Sequence, residues 1–512
     1  DYTTWTNPEL IKRITLLETQ LRAQTSTPLQ SNKHAPKKQP KPFDPSKYAT
    51  RLIALKFAYL GGAYNGFEHH VNNKTPRPTI EEVLWRALRK TKLVLPEFKE
   101  GQLGEGEEEE EVCWEGCEYS KCGRTDRGVS AFGQVIGVRV RSSRPKERVA
   151  DMEEEEGTGV KEMGKEWHHI RDELPYLQLL NRNLPADIRI LAWCPNPPPD
   201  FSARFNCRER RYRYFFTNPA YMPDPSQSRS RDSAGGGWLD IEKMQQAAKK
   251  LEGLHDFRNL CKVDPSKQIT NFERRIFSAG VHAAGPEDEA GALLSLPPFM
   301  HYFEVCGSAF LWHQVRHMVA ILFLVGQGYE QPEIVDELLD VAKNPARPMY
   351  DMASDIPLVL WDCIFPALNQ TSDGDHGSAR PTNGYEDAMD WLYVGDQAND
   401  DSEPTKQSRM VLMQDRKYGR LGIMEDLWAQ WRSRKIEEVL AGSLMNVVAR
   451  QGQSASRLSP LGGLTAADAS PRLFDGSDTP RTTGAYIPLM RRERMEVPEV
   501  LNARYAMRKG LN

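Results

Sequence analysis

The sequence has little of what several large protein classes require. Its eight cysteines form no Cys-x-x-Cys pair and are too sparse for a disulfide scaffold, which favours a reducing, intracellular compartment. Cys113, Cys117 and Cys122 with His168 and His169 come nearest to a zinc set, but their spacing is irregular. No run reaches the roughly 18 apolar residues that a membrane helix needs. The longest candidate, Ala309 to Val325, is broken by His313, Gln314, Arg316 and His317, and no membrane segment is expected. The chain begins at Asp1 rather than Met, so the lack of a leader peptide carries little weight. A glycine-rich loop after a first strand is also missing, because Gly61-Gly62 is too short a signal to cradle a nucleotide cofactor.

What is present suffices for one large or two medium domains with extensions: 512 residues, 39% hydrophobic and 27% charged. The net charge of -4 conceals an uneven distribution. Glu105 with Glu107 to Glu111, and Glu153 to Glu156, concentrate acidity in two blocks near residues 100–112 and 150–166, which read as solvated insertions. Elsewhere the chain is basic. Clusters at Lys33 to Arg51, Arg208 to Arg213 and Arg491 to Arg494 are candidate phosphate contacts or, taken singly, solvated faces.

The run Lys121-Cys122-Gly123-Arg124-Thr125-Asp126-Arg127-Gly128-Val129-Ser130 sets one carboxylate among three cations in a glycine-bounded loop. The β-branched stretch from Gln134 to Val140 follows, so the loop feeds a sheet and is held by it. Opposite charges nearby favour the ionised acid, which makes Asp126 a candidate nucleophile, base or metal ligand. A salt-bridged turn is the plainer reading of the same residues.

Periodicity organises the rest. Residues 7–24 read as a helix with Leu10, Ile14, Leu17 and Leu21 along a seam, and residues 25–49 as a basic linker. The core begins at Arg51 with a strand from Ile53 to Tyr59. Thr79 with Glu82 then makes a capping box for an amphipathic helix that buries Ile80, Val83, Leu84, Ala87 and Leu88. A helix over Leu174 to Leu180 and a strand over Ile188 to Trp193 complete a first set. The second comprises a strand at Arg211 to Phe216, a helix from Ile241 capped by Asp240, strands at Phe272 to Val281 and Tyr302 to Val305, and an apolar helix over Ala309 to Val325. This alternation predicts an α+β fold of two similar halves, residues 51–200 and 201–366. Residues 1–50 precede it, and 367–512 form a partly disordered extension in which Ile423 to Leu444 has a helical pattern.

Two further constellations could carry chemistry. Arg316, amid apolar neighbours, needs an anionic partner: a structural carboxylate, a substrate phosphate or Asp126. His313 and His317, one turn apart, read as packing histidines rather than metal ligands. The Phe201-to-Phe205 and Arg210-to-Tyr214 segments interleave arginines with aromatics, which suits RNA or single strands as well as an amphipathic strand with an aromatic core face.

Four blocks together resemble the TruA family of tRNA pseudouridine synthases: Tyr59 to Phe67, Gly123 to Val129, Phe201 to Tyr214, and Ala309 to Val319. Leu254 to Lys262, the N-terminal helix and Tyr486 to Met490 are similar to the eukaryotic branch acting at tRNA positions 38 and 39. His317-Met318-Val319-Ala320 stands where bacterial members usually read Asn-x-x-Gly after the arginine, which bears on subgroup. The resemblance implies a pseudouridine synthase fold, with a largely antiparallel mixed sheet flanked by helices, and a tRNA substrate. It also implies no cofactor or metal, a possible homodimer, and residence in nucleus or cytoplasm. It makes Asp126 the nucleophile, Tyr212 the stacking platform near the departing C5 proton, Arg124 a helper in base flipping and Arg316 the partner of Asp126. By residue type, Arg204, Arg211, Arg213, Thr125 and Arg127 are expected to bind the substrate. A non-catalytic tRNA-binding or RNA-folding protein, or a family member with another tRNA site, is the alternative.

Overall fold

Ten strands with alternating apolar residues build one sheet, in the order β10-β4-β1-β3-β9-β5-β8-β7-β6 with β2 beside β3. They are β1 (Ala49–Tyr59), β2 (Ser120–Lys121), β3 (Ser130–Ser142), β4 (Ile188–Cys194), β5 (Glu209–Asn218), β6 (Gly253–Asp256), β7 (Glu273–Ala283), β8 (Phe299–Gly307), β9 (Leu358–Ile364) and β10 (Leu392–Tyr393). Every ladder is antiparallel except β3–β9, where Ser130 and Ala131 run parallel to Val359 and Leu360. The computed structural model describes residues 6–7, 11–17, 44, 47–71, 75–95, 112–144, 167–222, 237–284, 299–365, 389–396, 417–419, 422–451 and 472–510. Both glutamate blocks, most of the basic linker, and Leu10 and Leu21 of the N-terminal seam lie outside the described residues. The chain divides into two units, Asp1–Lys47 and Tyr48–Asn512. In the first, residues 11–17 are helical.

Local sequence explains the helices of the second unit. α1 (Ile80–Lys90) begins with the complete capping box, Thr79 Oγ1 accepting from Glu82 N–H and the Glu82 carboxylate from Thr79 N–H, worth about 1 kcal/mol. Its Ile80, Leu84, Ala87 and Leu88 are buried, and so is Glu81, whose carboxylate accepts from Tyr119 and Lys121. α2 (Tyr176–Asn181) covers β4, and α3 (Ile241–Lys249) is capped by Asp240, which accepts from Lys243 N–H. α4 (Gln314–Gly326) is buried along its whole length. At about 1.5–3 kcal/mol for each large apolar side chain, that burial makes it the central support of its side of the sheet. The expected helix over Ala309 to Val325 is thus shorter at its start. His313 adopts a left-handed backbone, φ 58°, so Ala309 to His313 form a turn rather than a helical stretch.

Two apolar cores lie under the sheet, one built on β1, β3, β4 and α1 and the other on β5, β7, β8, α3 and α4. Tyr212 packs against both. α5 (Ile334–Leu339) buries Ile334, Val335 and Leu338 in the second core.

The C-terminal region contributes ordered structure. Phe474 and Leu489 are buried in the second core, and Gln327 pairs with the Phe474 backbone through both ends of its amide, at 3.0 and 2.7 Å. Tyr486 donates to Glu330 at 2.6 Å. This region also forms a hairpin of β11 (Arg472–Leu473) and β12 (Arg481–Thr482). Its helices are α6 (Ile423–Arg450), joined to the start of β4 through the Asp426–Arg189 pair at 2.6 Å, and α7 (Pro498–Lys509). No described helix is long and apolar enough to cross a membrane.

Candidate active site

The loop from Lys121 to Ser130 is fixed at three points. Buried Gln134 bonds both backbone groups of Gly123, its Nε2 donating to the carbonyl at 2.9 Å and its Oε1 accepting from N–H at 3.2 Å. Thr125 is pinned by Tyr59, with the hydroxyl oxygens 2.7 Å apart, and by Phe67 N–H, which donates to Thr125 O at 3.0 Å. Ser130 Oγ accepts from Gly61 N–H at 3.0 Å. Gly61 is required there: a Cβ would fall 2.1 Å from Val129 O. Between these anchors the chain turns through Asp126, whose carbonyl accepts from Val129 N–H at 3.2 Å, and Gly128 takes φ +81°.

Asp126 is held by residues the sequence reading had not chosen for the purpose. Trp312 Nε1–H donates to Oδ1 at 3.3 Å, and His313 Nε2 lies 3.2 Å from Oδ2. Both partners come from the turn before α4, where the left-handed backbone of His313 brings consecutive side chains to the carboxylate. Lys262 Nζ stands over the Trp312 ring, 4.6 Å from its centroid. Of the cations within the loop itself, Lys121 pairs with Glu81 and Glu68 and Arg124 with Glu68. Together these two hold the Glu68 carboxyl below its usual range, overcoming the opposing effect of burial.

Asp126 opens onto a cleft of about 880 Å³. Most of the candidate site residues meet there: Arg124, Thr125, Asp126, Arg127, Arg204, Tyr212 and Arg316 all line it. So do Lys121, Arg210, Lys262 and Lys267, against only Glu68, Asp126 and Asp264 as carboxylates, so the cleft is cationic. Tyr212 stands edge-on to Phe310, ring centroids 5.0 Å apart. Burial pushes its phenol well above the ordinary tyrosine range.

Two expectations need correction. Arg316 and Asp126 make no ion pair; the Arg316 Nε–H donates to Ala353 O at 2.7 Å. Arg211 and Arg213 do not line the cleft. Strand alternation puts Tyr212, Tyr214 and Phe216 on the helix-covered face, Tyr214 and Phe216 packing on Phe323, and sends the odd-numbered arginines through the sheet. On the far face Arg213 bonds Glu304 at 2.8 Å and lies 4.0 Å from the Trp361 and 4.4 Å from the Tyr302 ring centroid. The same alternation puts Arg210 on the cleft side, so period-2 reasoning could have selected it. His313 and His317, expected as packing histidines, have separate surroundings: His313 meets Asp126, and His317 is packed away from it. His317 stacks edge-on with Tyr350 and lies against Arg347, and burial together with that guanidinium pulls it down to about 2.

One cysteine cluster borders the site. The sulfur neighbours of Cys122 are Cys207 and Cys363, rather than the Cys113 and Cys117 of the irregular sequence set. Hydrogen bonds from Cys122 and Cys363 pull the Cys207 thiol below its ordinary range. Cys122 is pushed up by burial, and Cys363 by its bonds to the other two thiols.

Residues 247–366 match the profile of a family described as tRNA pseudouridine synthase. The chain is 41% identical over 385 residues to the tRNA pseudouridine(38/39) synthase of Saccharomyces cerevisiae, covering 72% of each protein. Similarity to the protein of the same name from Homo sapiens is 43% over 366 residues, 70% of this chain and 66% of the human one. The tRNA pseudouridine synthase A of Methanothrix thermoacetophila is 29% identical over 322 residues, 63% of this chain and 86% of the archaeal one.

Proposed function

The chain belongs to the tRNA pseudouridine synthase family, and on that premise we propose that it isomerises uridine to pseudouridine at positions 38 and 39 of the tRNA anticodon stem-loop, with Asp126 as nucleophile. The observation that carries the assignment of the nucleophile is the rigid presentation of the Asp126 carboxylate into a cationic cleft beside Tyr212. Attack by the carboxylate allows the C1′–N1 bond to break. The uracil rotates, C1′ bonds to C5, and the hydrogen on C5 leaves as a proton.

A uridine within a stem must first be extruded, at a cost of a few kcal/mol. Stacking on Tyr212, worth about 1–3 kcal/mol, offsets part of it. The raised phenol supports Tyr212 as a platform and hydrogen-bond donor rather than as a standing base for the C5 proton. Arg316, with no carboxylate partner and a place on the cleft wall, suits a substrate anion. Arg124, Arg127 and Arg204 suit the phosphates flanking the extruded base, and Thr125 holds the loop in register.

The same reading treats residues 51–200 and 201–366 as two related halves of the catalytic region, joined at the β3–β9 ladder. Residues 1–50 and 367–512 are then extensions, and the enzyme is a homodimer of the nucleus or cytoplasm. The deciding experiment uses tRNA tritiated at uridine C5. Release of tritium by the wild-type chain but not by Asp126→Ala, with tRNA affinity retained, supports the assignment. Tight binding without release from any unmodified tRNA would leave a non-catalytic RNA-binding protein.

A further inference from the structure

Cys122, Cys207 and Cys363 come from three separate stretches of chain: the loop that leads to Asp126, the approach to β5, and β9. Their sulfurs all lie within 4.8 Å of one another. All three side chains are buried, at 3%, 5% and 0% exposure. Buried cysteines often serve as small apolar fillers, but filler needs no charge beside it. Here the Arg210 guanidinium donates to the carbonyl oxygens of Cys122 at 3.2 Å, Cys207 at 3.5 Å, Arg204 at 3.0 Å and Ser308 at 2.7 Å. It has backbone oxygens for partners and no carboxylate. A half-buried cation held this way finds its counter-charge only in the sulfurs beside it, which favours their anionic, metal-binding form.

We propose that Cys122, Cys207 and Cys363 bind one zinc ion, which ties the catalytic loop to β5 and β9. Thiolates about 2.3 Å from a tetrahedral zinc lie about 3.8 Å apart, inside the 4.8 Å within which the three sulfurs already stand. Binding exchanges the thiol protons for the metal, with no change in oxidation state. Three thiolates on Zn²⁺ leave one negative charge, which matches the single positive charge of Arg210. The fourth position falls to water from the cleft, which Cys122 borders. The role is structural. Cys122 stands four residues before Asp126, and a metal link from its sulfur to β9 and to the segment entering β5 restrains the loop beyond what Gln134 and Tyr59 achieve.

The test measures metal content, which is independent of pseudouridine formation. Full-length protein purified without chelator is analysed for zinc, stripped, and titrated with Cd²⁺ while the ultraviolet thiolate-to-metal charge-transfer band is followed. The expected result is about one zinc per chain and a band that saturates at about one equivalent. Both are lost in Cys122→Ser and Cys207→Ser and retained in Cys306→Ala, which removes a buried thiol of β8 outside the trio. Circular dichroism confirms that the serine variants stay folded; should they unfold, Cys113→Ser/Cys117→Ser with zinc intact still supports the trio. Wild-type protein that takes up neither metal, or a band that survives Cys122→Ser/Cys207→Ser, overturns the proposal.

Discussion

His313 Nε2 lies 3.2 Å from Asp126 Oδ2, with the imidazole side chain 8% exposed and the carboxylate 35%. The histidine therefore closes one flank of the carboxylate and leaves the other to the cleft. Trp312 takes the second oxygen, so the acid is oriented by two neighbouring side chains on one rigid turn.

If that clamp sets the attack angle, His313→Ala lowers kcat by about 10- to 100-fold, the scale on which misplacement of a reacting group acts. The dissociation constant for tRNA changes by no more than a few-fold. His313→Gln, which keeps an N–H donor, recovers part of the rate. Single-turnover kinetics with parallel binding assays separate the two quantities, and equal losses in both would make His313 a structural residue only.

Tyr212 offers a ring to the cleft and a phenol that burial keeps protonated. Tyr212→Leu should lose stacking worth about 1–3 kcal/mol, roughly a 5- to 150-fold fall in kcat/KM. Tyr212→Phe keeps the ring and should fall by less. A Phe variant as slow as the Leu variant would transfer the burden to the hydroxyl.

Arginines on the two faces of the sheet should differ in salt response. Arg127→Ala and Arg204→Ala each lower the slope of log K against log salt by about one phosphate contact. Arg213→Ala leaves it unchanged, since that guanidinium is occupied by Glu304, Tyr302 and Trp361 away from the cleft. Filter binding across a salt series tells them apart.

Lys56 of β1 and Asp362 of β9 form a buried pair at 2.8 Å. Lys56→Met removes the carboxylate's buried ammonium partner and should cost about 3–5 kcal/mol in a urea titration at neutral pH. Burial already raises the Asp362 carboxyl above its ordinary value despite the lysine. A raised folded value means that the folded state holds the proton more tightly. Its contribution is therefore greatest below the unfolded value of about 3.9 and is lost as pH rises through the folded one. The variant should accordingly be less impaired near pH 4 than at pH 7, and an equal deficit at both would point to lost packing instead.

Much of this was legible in the chain because it is local. The Thr79–Glu82 capping box, the alternation of Tyr212, Tyr214 and Phe216, and the glycine-bounded Asp126 loop each depend on residues within a few positions of one another. β9 was not recognised, although Leu358-Val359-Leu360 is an apolar run, because a strand buried between two others has no alternation to betray it. The left-handed turn at His313 was hidden inside an apolar stretch whose composition suits a helix.

By itself, then, the sequence determined the helix caps, the strand faces, the candidate nucleophile and, through its motifs, the family. The tertiary structure alone decided that Trp312 and His313 hold Asp126 while Arg316 does not, which face of β5 meets the cleft, and that Cys122 meets Cys207 and Cys363. The physical reason is range: hydrogen-bonded caps and strand alternation are set by neighbours in the chain, whereas the partners of a buried charge or thiol are set by which strands the sheet places side by side.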